Sequence, residues 1–133
     1  MPPAKPSADT MRSRERLPLH LGAGKALVAH LSAAELAEFL DRLGEHTRAD
    51  GTTVDRAGFL RDLAEIRDRG YSEAASEREP GMASVAAPVL DPDGTAHAAV
   101  QVSGHQEDLP ADRLDQLGAE VRRAAHAIAR RAC

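Results

Sequence analysis

Two places in this 133-residue chain carry residue types and spacings suited to holding a small ligand. The first is Gly22-Ala23-Gly24-Lys25, which opens the apolar run Ala23 to Leu31 with Leu27 and Leu31 one helical turn apart. Amides at a helix start have no intrahelical acceptor, and the helix dipole adds partial positive charge there. Gly22, Ala23 and Gly24 would therefore present donors to an anion such as a carboxylate. The same glycines are equally explained if they only let helix and sheet backbones approach closely. The second place is Ala96 to Ser103, whose alternation by two puts His97, Ala99, Gln101 and Ser103 on one strand face, and Ala96, Ala98, Val100 and Val102 on the other. An amide and a hydroxyl on one face can converge on one ligand.

Other chemistries are poorly served. A phosphate loop needs a glycine where Leu19 stands and a hydroxyl where Ala26 stands, so GAGK is not one. The six histidines, at 20, 30, 46, 97, 105 and 126, include no i, i+4 pair and have no cysteine partners, which argues against a metal site. The chain has no G-x-S-x-G elbow, and its one cysteine, Cys133, is the last residue. Glu77 and Glu79, read as strand residues, point to opposite sides and cannot share a proton. No catalytic residue, cofactor or metal is expected, and the chain does not read as an enzyme. His20 stands two residues before Gly22, and a structural hydrogen bond is its favoured role over donation to a ligand.

The elements that must position these groups follow from periodicity and punctuation. Ser32-Ala-Ala-Glu35 is a capping-box pattern opening a helix with Leu36, Phe39, Leu40 and Leu43 on one stripe and a stop at Gly44. Residues His46 to Gly51 read as a loop. Thr52-Thr-Val-Asp55 is a second capping box, leading to a helix with Phe59, Leu63 and Ile66 inward and an end at Gly70. Val85 to Leu90, the turn Asp91-Pro-Asp-Gly94 and Ala96 to Ser103 form a β-hairpin. From about Pro110 to Ala132, Leu114, Leu117, Val121, Ala124 and Ile128 make a long amphipathic helix. Helices beside an antiparallel hairpin make the class α+β.

Composition bounds the rest. At 42% hydrophobic, the chain has enough apolar surface for one core, built from aliphatic residues because Phe39, Phe59 and Tyr71 are its only aromatics. A net charge of -4 with interleaved signs gives no footprint for a phosphate backbone, so no direct DNA contact is expected from this chain. Residues 1–16, with three prolines, four basic and two acidic residues, read as a flexible arm ahead of a domain at 17–133. No run has the apolar length of a membrane span, the opening residues lack the hydrophobic stretch expected of a signal peptide, and a lone cysteine suits a reducing cytoplasm, which is the expected location.

LPLH at 17 to 20, GAGKALVA at 22 to 29, EIRDRGYS at 65 to 72, Glu77 with Pro80-Gly81, VAAPVLDPDG at 85 to 94 and VQVSG at 100 to 104 follow one another in an order that resembles the effector-binding domain of IclR-type (isocitrate lyase regulator) bacterial transcription regulators. The resemblance runs from about Leu17 to Ala132. It implies a GAF-like fold, an antiparallel sheet flanked by helices, truncated at its amino-terminal side and without the family's winged helix-turn-helix. It also implies an effector site formed by the positions matching Gly22, Ala23, Met82, Ser84, Gln101 and Ser103. Members that bind small oxo-acids have an acidic residue where this chain has Ala74, often a cysteine at Ser84, and a serine at Gln101. The substitutions here imply an effector with a different hydrogen-bonding pattern. Glu77 matches a glutamate common in the family, placed to fix the strand, to line the pocket or, equally, to form a surface salt bridge.

The expected function is therefore sensing of a small organic acid that shifts oligomeric arrangement and so controls transcription. The alternative is a dimerisation module that pairs with a related full-length regulator and has no ligand of its own. Missing strands would leave a sheet edge to be covered by another chain, so a homo-oligomer or such a pairing is expected.

Overall fold

Residues 18–132 are described by the computed structural model, so the arm read at 1–16 and the terminal Cys133 lie outside the described residues. The elements are helix α1 (Gly24–Val28), helix α2 (Ala33–Leu43), a ribbon of β1 (His46–Thr47) and β2 (Thr53–Val54), helix α3 (Arg56–Arg69), strands β3 (Ser72–Ala75), β4 (Met82–Leu90) and β5 (Ala96–His105), a 3-10 turn at Gln106–Asp108, and helix α4 (Ala111–Ala132). Strands β3, β4 and β5 form one antiparallel sheet in that order. Helix α4 covers one face, and α1 lies against β4 and β5 on the other with α3 behind it. This is the α+β arrangement expected. None of the described helices is long and apolar enough to cross a membrane.

Two apolar clusters hold the layers. Val28 and Ala29, Leu40, Val54, and Phe59, Leu63 and Ile66 join α1, α2, β2 and α3. Ala83, Val85 and Ala87 of β4 meet Leu114, Leu117, Val121 and Ala125 of α4. Full burial of a side chain such as Phe59 or Leu63 stabilises by about 1.5–3 kcal/mol. The capping box is present at α2: Ser32 Oγ accepts from Glu35 N, and Glu35 Oε1 accepts from Ser32 N.

Several local expectations need correction. Helix α1 ends at Val28, so Leu31 packs on the core from beyond the helix, and the helix buries Lys25, Ala26 and Val28, not Leu27. The stretch His46 to Gly51 is not all loop, because β1 pairs His46 with Val54 and Thr47 with Thr53. The cap of α3 is Asp55, whose carboxylate accepts from Gly58 N at 2.8 Å, while Thr53 is in a strand. On α4 the buried residue is Ala125 and not Ala124; Ile128 is left 48% exposed. Glu77 and Glu79 sit in the loop between β3 and β4 and not in a strand.

Between β3 and α4, Glu73 projects to the α4 side beside Asp115. Burial, then the hydrogen bond and charge of Asp115, push its carboxyl up to about 7, with Arg69 opposing. Its Oε2 is buried without a hydrogen-bond partner among the described residues. A carboxyl whose folded pKa exceeds its unfolded value keeps its proton longer in the native state. Between about pH 4.5 and 7 the folded chain thus binds more protons, and stability falls as pH rises through that window. Glu73 is partly solvated, so the penalty above pH 7 is about 1 kcal/mol. The expected result is that Glu73→Gln raises the melting midpoint by roughly 4 °C at pH 8 and leaves it unchanged near pH 4. A gain of equal size at both pH values would mean that ionisation is not its cause.

Candidate functional site

The register of the sheet decides which side chains meet. Ala74, Ser84 and Ser103 are paired across β3, β4 and β5, and Ser72, Ala86 and Gln101 form the next row. Both rows face away from α4, toward the loop that opens α1. A cavity of about 360 Å³ lies there, lined by all six residues named from the resemblance, Gly22, Ala23, Met82, Ser84, Gln101 and Ser103, together with Ala74, Glu77, Arg78 and Glu79. Ligand cavities typically hold about 300–1,000 Å³. The cavity wall therefore combines short apolar side chains, two hydroxyls and one amide with three charged residues that spacing alone did not bring to the site.

The loop at Gly22 is fixed from beneath by Glu77. This side chain is 7% exposed. One carboxylate oxygen accepts from Gly22 N at 2.9 Å and the other from Lys25 Nζ at 2.8 Å. Lys25 is buried and also donates to Asp62 at 3.1 Å; Arg48 reaches Asp62 at 3.1 Å and Glu77 at 3.7 Å. Two cations and two anions thus balance in a site where an unpaired charge would be costly. The surface salt bridge considered for Glu77 is instead a buried one.

This network changes what the helix start can offer. The Gly22 amide is already bonded to Glu77, so it is not a vacant donor for a ligand carboxylate. Gly24 has a packing role: a Cβ there would stand 2.6 Å from Leu19 Cα and from Pro18 O. Gly22 differs. Its φ is +60°, and a Cβ would find ordinary contacts with Arg78 Cδ at 3.6 Å and Ser84 Oγ at 3.9 Å. A longer side chain on it would enter the cavity.

The rim loop from Ser76 to Gly81 is pinned at both ends. Ser76 N donates to Met82 O at 2.7 Å, Gly81 N donates to Ser76 Oγ at 3.0 Å, and Ser76 Oγ meets Gln106 Oε1. Ala49 N and Asp50 N donate to Glu77 O and Ser76 O, which ties the ribbon to the loop. These bonds hold Ser76 at φ 54°, a conformation that disfavours a non-glycine residue by about 1 kcal/mol. His20 is not in the cavity wall. Its ring packs edge-on to His46 at 4.8 Å, and His46 packs on Phe59. Burial holds both imidazoles below their ordinary value, His46 further so beside His20 and Arg48.

Arg78 left no trace in the sequence, because its position belongs to no spaced pattern, and Glu79 entered only as a carboxylate unable to share a proton with Glu77. Ala74 was singled out only through the resemblance.

Comparison with known proteins agrees with this architecture. Residues 6–130 match the family described as bacterial transcriptional regulator IclR, C-terminal. The chain is 36% identical over 114 residues to the transcriptional repressor IclR of Escherichia coli K12, covering 85% of this chain and 42% of that protein. It is 37% identical over 107 residues to the regulator BhcR of Paracoccus denitrificans, covering 80% and 38%. The chain thus spans about two-fifths of the length of these relatives. Among solved structures, the Thermotoga maritima IclR superposes with a TM-score of 0.81 at 27% identity, covering 91% of this chain and 50% of that one. The inducer-binding domain of PobR from Acinetobacter, a double mutant in complex with 3-hydroxybenzoic acid, gives 0.74 at 27% identity, covering 85% and 66%. With a TM-score of 0.81 to a solved IclR and a family match over nearly its whole length, this chain belongs to the IclR family of bacterial transcriptional regulators, as a C-terminal effector-binding domain of GAF-like fold.

Proposed function

We propose that this chain senses a small organic acid in the cavity between the Gly22 loop and the sheet, and that occupancy shifts its oligomeric arrangement and so controls transcription. The observation that carries the reading is the convergence of Ser84, Gln101 and Ser103, from two strands, with the Gly22 loop on one cavity of about 360 Å³. Short side chains leave the space, and hydroxyl and amide groups supply the orientation. The relative PobR, whose inducer-binding domain holds 3-hydroxybenzoic acid, supports an acid of one ring as a test compound. The domain acts by binding, with no catalytic step.

A ligand selective for the folded state raises the melting midpoint with its concentration. The expected result is a saturable rise with one class in a panel of small oxo-acids, hydroxy-acids and aromatic acids that includes 3-hydroxybenzoate. Gly22→Val should weaken that response at least tenfold, because the new side chain projects between Arg78 and Ser84. The φ of +60° adds strain of about 1 kcal/mol, so the comparison is made well below the variant's own midpoint, by calorimetric titration. An unchanged response in Gly22→Val would remove the ligand from this cavity.

A second reading is favoured by β5. An edge among the described residues, this ten-residue strand, AHAAVQVSGH, has no proline, lysine, arginine or acidic residue to blunt it, and Val102 on it is 37% exposed. Unprotected edges of this kind pair with another chain. A module that only pairs, with a second copy or a related regulator, would show a light-scattering mass above the monomer and no midpoint shift with any acid.

A further inference from the structure

Arg78 is placed to read the charge of whatever enters the cavity. Its Cγ and Cδ lie beside the Gly22 backbone, within reach of the same point as Ser84 Oγ, so Gly22, Arg78 and Ser84 meet at one corner. That corner is where an incoming carboxylate would otherwise have used the Gly22 amide. The amide is spent on Glu77, and Glu77 is itself neutralised by Lys25 and Arg48. Arg78 is exposed at the rim, and none of the ion pairs among the described residues involves it; Glu79, its neighbour on the same rim, does not reach it.

We propose that Arg78 is the specificity-determining cation of this cavity: its guanidinium pairs with the carboxylate of a monoacid ligand at the Gly22–Ser84 corner, while Gln101 hydrogen-bonds a polar group at the ligand's far end. The proposal rests on the sensor reading given above and assigns the end of the ligand that each side chain holds. Guanidinium suits the task because its fixed fork matches a carboxylate and it stays charged at every working pH. The distance fits the division of labour. Ser84 pairs with Ser103, so Gln101 is its diagonal neighbour, with α-carbons about 7–8 Å apart. A single-ring acid bearing a second polar group spans such a gap. With Ala74 on the same row as Ser84, no side-chain carboxylate of the sheet opposes the ligand's charge at that corner.

The test uses 3-hydroxybenzoate and 2-oxobutanoate, each beside its primary amide, titrated against the whole chain and against Arg78→Gln and Arg78→Lys by calorimetry and melting. The exposed position of Arg78 leaves the ligand-free melt unchanged in both variants. The expected result is that an acid binds the unaltered chain at least tenfold more tightly than its amide. In Arg78→Gln that preference disappears while the amide's affinity stays within twofold, and Arg78→Lys restores part of it. If an acid binds Arg78→Gln as tightly as the unaltered chain, the role of Arg78 falls and the sensor reading stands. If neither acid nor amide binds the unaltered chain, both fall together.

Discussion

Glu77→Ala is expected to cost about 3–5 kcal/mol, a large fraction of the roughly 5–15 kcal/mol that holds a typical domain folded, although Glu77 belongs to no helix or strand. Removal of the carboxylate leaves Lys25 buried at 2% exposure with only the partly exposed Asp62 to balance it, and strips Gly22 N of its acceptor. An orphaned buried charge and an orphaned buried amide are both counted against the folded state. Glu77→Gln isolates the charge, since an amide oxygen still accepts from Gly22 N but no longer neutralises Lys25. The expected order by urea denaturation is therefore unaltered chain, Glu77→Gln, Glu77→Ala. Lys25→Met on the Glu77→Ala background should recover a large part of the loss, because the stranded cation is then gone. Additive losses would show that Lys25 and Glu77 do not act as a pair. The same variants connect stability with the site: without Glu77 the Gly22 loop loses its tether, so acid binding should weaken even in variants stable enough to be measured.

The charge network was the least legible part of the site from the sequence. Lys25, Arg48, Asp62 and Glu77 come from four segments, and three of them read as ordinary members of solvated faces or loops. Their meeting is a product of the α1–α3 packing and of the ribbon's backbone bonds to the 76–77 carbonyls. By contrast, the Ser32–Glu35 box, the inward face of α3 and the Asp91–Gly94 turn are local features, and local chemistry determined them. Strand β3 went unseen for a physical reason. Ser-Glu-Ala-Ala has no β-branched or aromatic residue, and the strand exists because β4 offers it a ladder from Ala83 to Ala86. On α4, spacing of three or four residues fitted either Ala124 or Ala125. At about 100° per residue, Ala125 returns to within about 20° of Leu114, whereas Ala124 stands about 80° away. Alternation on β5 correctly grouped Gln101 with Ser103, because period two needs only one register to be right. Fold class was thus readable from patterns and the family from a resemblance of ordered segments, and the electrostatics beneath the cavity were not.

Gly118→Ala should destabilise the chain by about 2 kcal/mol, against the usual expectation for a glycine in the middle of a helix. Propensity alone predicts a gain of about 1 kcal/mol on this replacement. The neighbourhood outweighs it. A Cβ on Gly118 would stand 2.5 Å from Cδ1 and Cζ of Tyr71, and the Arg69 guanidinium lies over the same ring, 5.3 Å from its centroid. Arg69 Nε also donates to Tyr71 O at 2.9 Å, so backbone and ring are constrained together. Either the ring must move or α4 must lift off β3 and β4, and such overpacking costs about 1–3 kcal/mol or more. Truncating the ring supplies the decisive comparison. In Tyr71→Ala the space over Gly118 is empty, and adding Gly118→Ala to that background should stabilise the chain, as helix propensity requires. A change of sign between the two backgrounds is the expected signature; the same loss in both would mean that Tyr71 is not what excludes a side chain at position 118. The result bears on the cavity as well, because Tyr71 leads into β3, and a shift of that strand moves Ala74 in the cavity wall.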